Sequence, residues 1–151
     1  MKKLLVIFMA IAGLVSCAKD GPSSKSLYHN TSIVNDVTYE VNITNEGEEY
    51  AWTNVTRTDE VTLKYTFNYE RKSDLQKDFA SIVEGLDAID GALIPIFTRT
   101  LRFTNDEEHD VVITREVEGG TVFVKFVVGP KIFKLPYNFI VEANTILNPK
   151  N

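Results

Sequence analysis

Cysteine occurs once in this sequence, at Cys17, so the chain can form no internal disulfide and no cysteine-rich metal site. Histidine is nearly absent as well. His29 and His109 are the two examples, and neither stands at a spacing that identifies a partner for metal binding or proton transfer. No serine sits in a G-x-S-x-G elbow, and no glycine-rich loop could cradle a phosphate; Gly119-Gly120 reads as a turn. Basic residues are scarce beside acidic ones, 16 against 21, for a formal charge of −5. A surface of that sign repels nucleic acid and anionic headgroups, so a nucleic-acid partner is not expected. Long apolar runs are lacking too. The stretch Leu4–Ala12 falls well short of the roughly 20 residues that cross a bilayer, and no transmembrane helix is expected.

What is present begins at the amino terminus. Lys2 and Lys3 precede the apolar stretch Leu4–Ala12, then come small or apolar residues to Ser16, then Cys17. That is the plan of a secretory signal peptide. Leu14-Val15-Ser16-Cys17 resembles the lipobox of bacterial lipoproteins. The resemblance implies a diacylglyceryl group on the Cys17 thiol, cleavage after Ser16 and acylation, for example by palmitate, of the new amino terminus. Several acyl chains on one residue give stable membrane attachment, whereas one chain gives reversible binding. Ala18 stands where an aspartate would mark inner-membrane retention, so the resemblance implies the outer membrane. Lys19-Asp20 resembles, distantly, the charged export tags of Bacteroidota surface lipoproteins, and the periplasmic and surface faces both stay open.

The expected organisation is a leader over 1–16, a lipidated cysteine and flexible tether over 17–26, and one domain over 27–151. The tether is polar and carries Gly21, Pro22 and three serines. Losing the leader removes Lys2 and Lys3, which leaves 14 basic against 21 acidic residues and a balance of −7. A domain of this length buries about two-thirds of its unfolded surface and needs no disulfide or metal to fold.

Period-two alternation dominates the domain. Val37, Tyr39, Val41 and Ile43 alternate with polar residues, a turn follows at Asn45-Glu46-Gly47, and Tyr50 to Val55 forms a short second strand. Val61, Leu63, Tyr65, Phe67 and Tyr69 mark a third strand with one apolar, aromatic face. The period then changes. Leu75, Phe79, Ile82, Val83, Leu86 and Ile89 recur at helical spacing, which predicts an amphipathic helix over 74–90 with a capping box at Ser73 and Gln76. Strand signals return over 93–103, 109–117, 121–128 and 133–141, with Pro95 and Pro136 hinting at edges and Glu118-Gly119-Gly120 at a hairpin. No residue repeat is visible, and the tail after Val141 is weakly patterned. The reading is an α+β fold: an antiparallel sheet of about seven strands with one helix, ordered three strands, helix, four strands. It is either one curved sheet around the helix or a two-sheet sandwich.

Few side chains stand out for chemistry. Asp106, Glu108 and Asp110 have the odd spacing of a calcium loop, but Val111 replaces its glycine and Val117 its bidentate glutamate, so the segment reads as a charged turn. No metal, cofactor or catalytic residue is assigned. Tyr50 and Trp52, on a short strand near turns, are the candidate contact surface for a protein or glycan, with core packing as the competing reading. The expected function is a non-enzymatic, lipid-anchored binding or accessory module of the outer membrane. The alternatives are an immunity or inhibitor lipoprotein that neutralises a basic toxin or hydrolase, and an envelope hydrolase whose carboxylates meet in the fold.

Overall fold

The computed structural model describes residues 25–101 and 108–149. Cys17, the leader, most of the tether and Asp106 of the acidic loop lie outside the described residues. Among the described residues the order is β1 (Lys25–Val34), β2 (Val37–Glu46), β3 (Glu49–Arg57), β4 (Thr62–Tyr69), α1 (Lys72–Ala88), β5 (Ile96–Leu101), β6 (His109–Glu118), β7 (Thr121–Val128), β8 (Lys131–Pro136) and α2 (Tyr137–Leu147). The strands make two separate four-stranded sheets, β1-β2-β3-β4 and β5-β6-β7-β8, in which every pair is antiparallel. Each sheet is a meander followed by a helix, so the architecture repeats although the residues do not.

This corrects the expected sheet of about seven strands with a single helix. Two segments account for the difference. β1, KSLYHNTSIV, buries only Tyr28 and carries too little alternation to stand out as a strand. At the other end, β8 stops at Pro136, which becomes the residue before α2. The alternation of Phe133, Leu135, Tyr137, Phe139 and Val141 runs across that boundary by coincidence. The buried set in α2 is Phe139, Ile140, Ala143 and Leu147, a helical stripe that continues into the tail. Lys25 and Ser26, read as tether, open β1.

Turn chemistry fixes the hairpins. Asn35 and Asp36 join β1 to β2 with φ of 53° and 66°, the left-handed pair that a two-residue hairpin needs and that these side chains tolerate. Gly119 and Gly120 do the same between β6 and β7, at 59° and 81°. The two tips touch: a Cβ on Gly119 would lie 3.0 Å from Asn35 Nδ2.

The core is aromatic. Ile43, Trp52 and Phe67 form one cross-strand row on the inner face of the first sheet. Trp52 is fully buried, with its ring centroid 5.4 Å from Phe67, 4.7 Å from Phe79 on α1, 5.8 Å from Phe126 on β7 and 6.1 Å from Phe133 on β8. One side chain therefore joins the first sheet, a helix and the second sheet. α1 buries Leu75, Phe79, Ile82 and Leu86 as the helical spacing predicts. Gly85 lies on the same face because Phe97 of β5 packs where its Cβ would be, at 2.2 Å.

The start of α1 differs from expectation. No side chain caps it. Gln76 instead donates to the Leu147 carbonyl at 2.7 Å, and Asn148 Nδ2 donates to the Gln76 carbonyl at 3.0 Å. The first turns of α1 are thereby tied to the end of α2, whose own end groups would otherwise lack partners.

α2 is also latched to β1. The Tyr28 hydroxyl donates to Glu142 Oε1 at 2.5 Å, and Asn30 Nδ2 donates to the same oxygen at 3.1 Å. Donation by Tyr28 holds the Glu142 carboxyl below the usual range, outweighing slight burial, with Asn138 and Asn30 assisting. Burial, then the bond to Glu142, pushes Tyr28 up to about 12, against a smaller opposing effect of Asn30. The signs follow from linkage. Glu142 has a depressed value, so its contribution to stability is lost as pH falls through the folded value. Tyr28 has a raised value, so its contribution is complete below its ordinary value near 10 and is lost as pH climbs towards about 12. Unfolding midpoints measured across pH are expected to lose acid sensitivity in Glu142→Gln and alkaline sensitivity in Tyr28→Phe; unchanged profiles in both variants would remove the latch from the account.

Candidate functional site

β8 packs across β2 and β3 of the first sheet, and its side chains reach β4. Among the described residues, β4 closes one side of the first sheet and bonds only to β3; β8 closes one side of the second and bonds only to β7. Side chains link β8 to β4. The Phe133 ring lies 5.8 Å from Tyr65 and 5.5 Å from Phe67, and Lys131 Nζ sits over the same two rings at 5.9 and 5.6 Å.

An open groove of about 290 Å³ runs beside this seam. Tyr39, Thr56 and Leu63, a single cross-strand row of the first sheet, form one wall. Glu116, Lys125, Ile132, Phe133 and Lys134 of the second sheet form the other. Leu63 and Ile132 are 47% and 52% exposed, so large aliphatic side chains are offered to solvent at the groove rather than drawn into the core.

The charges in the groove are already engaged. Lys125 Nζ lies 3.8 Å from Glu116, and Lys134 donates to Glu118. Lys134 also rests 4.7 Å above the Phe123 ring, which packs 5.0 Å from Tyr39. Burial pulls the Lys134 ammonium down, but the bond to Glu118 and the oxygens of Tyr39 and Glu116 outweigh it, and the net shift is upward. Tyr39 is raised, chiefly by burial, against the opposing pull of Lys134. The groove thus combines an apolar floor with neutralised ion pairs. Its size is at the lower end for a small-molecule site, which suits a few inserted side chains better than an enclosed cofactor.

The residues singled out by sequence lie elsewhere. Cys17 is outside the described residues. Trp52 is fully buried and Tyr50 is half-buried against the core, so the two do not form an exposed aromatic patch. Alternation explains why: they point to the inner face of β3, in register with Phe67 and Tyr69. His29 lies on the outer face of the first sheet, 2.8 Å from Glu40, which is 3.8 Å from Arg57. His109 belongs to the second sheet, and Asp110 accepts from Thr100 at 3.0 Å. Among the described residues no three His, Cys, Asp or Glu side chains gather as a metal site. Two carboxylates are buried, Asp74 and Asp78, one turn apart on α1. Arg71 approaches Asp74 at 2.8 Å and the Tyr69 hydroxyl donates to Asp78 at 2.7 Å, so both serve the helix–sheet junction.

Leu63, Ile132, Phe133 and Lys134 carried no sequence signal as a site. Their meeting depends on two edges that are distant in the chain, and only the exposure of Leu63 and Ile132 within apolar strands separates them from core residues. No family model matches the chain, and no characterised protein matches it in sequence.

Replacing Lys134 by Met keeps the stem over Phe123 and removes the charge, and the expected loss is about 1 kcal/mol in urea unfolding. A variant as stable as the parent would show that the stem, not the ammonium, does the packing.

Proposed function

We propose that this chain is an outer-membrane lipoprotein, anchored through Cys17, whose domain binds an extended polypeptide segment along the groove between β4 and β8. The observation that carries this reading is the open groove where β8 packs across the first sheet, with half-exposed Leu63 and Ile132 on its two walls and, among the described residues, β4 and β8 each bonded to a single neighbour. An edge offers a row of backbone donors and acceptors, and proteins guard such edges or use them to add a partner's strand. Backbone pairing gives affinity, and the apolar floor selects alternate side chains of the incoming segment. The groove's own charges are paired, so discrimination by charge falls to the acidic surface as a whole, which favours a basic partner. A glycan is less well served, since stacking needs exposed Tyr or Trp faces and Trp52 is in the core.

The anchor suits this use. Residues 18–24 between Cys17 and β1 span at most about 25 Å. Tyr39, at one wall of the groove, pairs with Ser32, seven residues beyond Lys25, or roughly 23 Å farther along β1. The groove therefore lies towards the end of the strands away from the tether.

The test is selection of phage-displayed random nonapeptides on the whole chain. Binders are expected to slow amide exchange along β4 or β8 and to weaken about tenfold with Leu63→Asp or Ile132→Asp, whose half-exposed positions tolerate the change. In cells, Cys17→Ser is expected to move the chain out of the membrane fraction. Binders indifferent to both groove substitutions would contradict the groove; membrane retention of the serine variant would contradict the anchor.

A further inference from the structure

Asn54 is 2% exposed, and neither its Nδ2 nor its Oδ1 has a hydrogen-bond partner among the described residues. Trp52 Nε1, two residues earlier on β3, has none either. Buried polar groups are nearly always bonded, because an unmade bond forfeits hydration without replacement. Three such atoms within one short stretch of β3 therefore call for a partner that the described residues do not supply; a leucine at 54 would make no such demand on the core.

Their position connects them to the groove. Asn54 faces inward in the row Val41–Asn54–Tyr65, directly behind the row Tyr39–Thr56–Leu63 that forms the groove wall. Tyr65, on the edge strand, is half-buried and rests on Phe133, itself a groove residue. Tyr65 ends that row on β4, beside Leu63 of the groove wall two residues earlier.

We infer that Asn54 is an internal anchor for a side-chain carboxamide, a Gln or Asn of the bound segment, which enters past Tyr65. The chemistry of the unmet atoms fits this group, whose two donors and one acceptor oxygen exceed the single donor of a hydroxyl. Asn54 presents donors and an acceptor, and Trp52 presents a donor. A carboxamide returns an acceptor to the donors and an N–H to Asn54 Oδ1. A carboxylate has no donor to return, an ammonium has no acceptor, and either would bury a charge. The inference rests on the proposed peptide groove and specifies what that groove reads.

The nonapeptides selected on the whole chain carry the test. Gln or Asn is expected at one fixed position of the binders. Asn54→Leu is expected to raise the urea midpoint, by removing an unmet buried amide, and to weaken those same peptides about tenfold. Selection repeated on this variant is expected to replace the carboxamide by an apolar residue. Asn54→Val serves if leucine overfills the site. Peptides that depend on Leu63 yet show no carboxamide preference and bind both Asn54 variants unchanged would overturn the inference while leaving the groove intact, with Asn54 then bonded only to internal water. Failure to select any Leu63-dependent peptide would overturn both.

Discussion

The structure depends on one contact set, the packing of Trp52 against Phe67, Phe79, Phe126 and Phe133. Each half of the fold is a four-strand meander and a helix, and each would leave a broad aromatic or aliphatic face in water by itself. Burial of a large aromatic side chain is among the largest single contributions available to a core. Placing the only tryptophan where both sheets and α1 converge makes the two halves interdependent. The same packing produces the groove. Phe133 is drawn onto Trp52, Phe67 and Tyr65, so β8 is held against the first sheet by rings, while the two sheets stay separate in their backbone bonds. Among the described residues β4 and β8 each keep one edge without a strand partner.

Local physics made part of this legible. β7 matches the predicted 121–128, and α1 covers 72–88 against a predicted 74–90, because period and turn residues there agree with the tertiary contacts. The Gly119-Gly120 hairpin was equally clear. β1 was hidden because an edge strand with a single buried tyrosine needs no alternation. α2 was hidden because Tyr137, Phe139 and Val141 satisfy two periods at once, and only the spacing of Phe139, Ala143 and Leu147 separates them. The capping box at Ser73 and Gln76 yielded to a tertiary demand, the open carbonyl of Leu147. That the strands divide into two sheets is a property of which edges pair, and no local pattern encodes it.

The site was less legible than the fold. Cys17 is an expectation read from a motif, which is local by nature, and it lies outside the described residues. Tyr50 and Trp52 are aromatics near turns, yet their alternation with Ala51 and Thr53 turns them inward with the core. The same alternation held a usable clue. Trp52, Asn54 and Thr56 share a face, so a polar residue is buried between the core tryptophan and the groove wall. A polar side chain on an apolar face conflicts with its surroundings, and such conflicts concentrate at sites kept for function.

The central claim is that Trp52 holds both sheets in one cooperative unit. It is tested most directly by unfolding the chain in urea while following Trp52 fluorescence and far-UV circular dichroism together. One reports the junction and the other reports all strands and helices. The account predicts coincident transitions with a single midpoint. A fluorescence transition complete while much of the dichroism persists would mean that a sheet survives without the junction, and would contradict it.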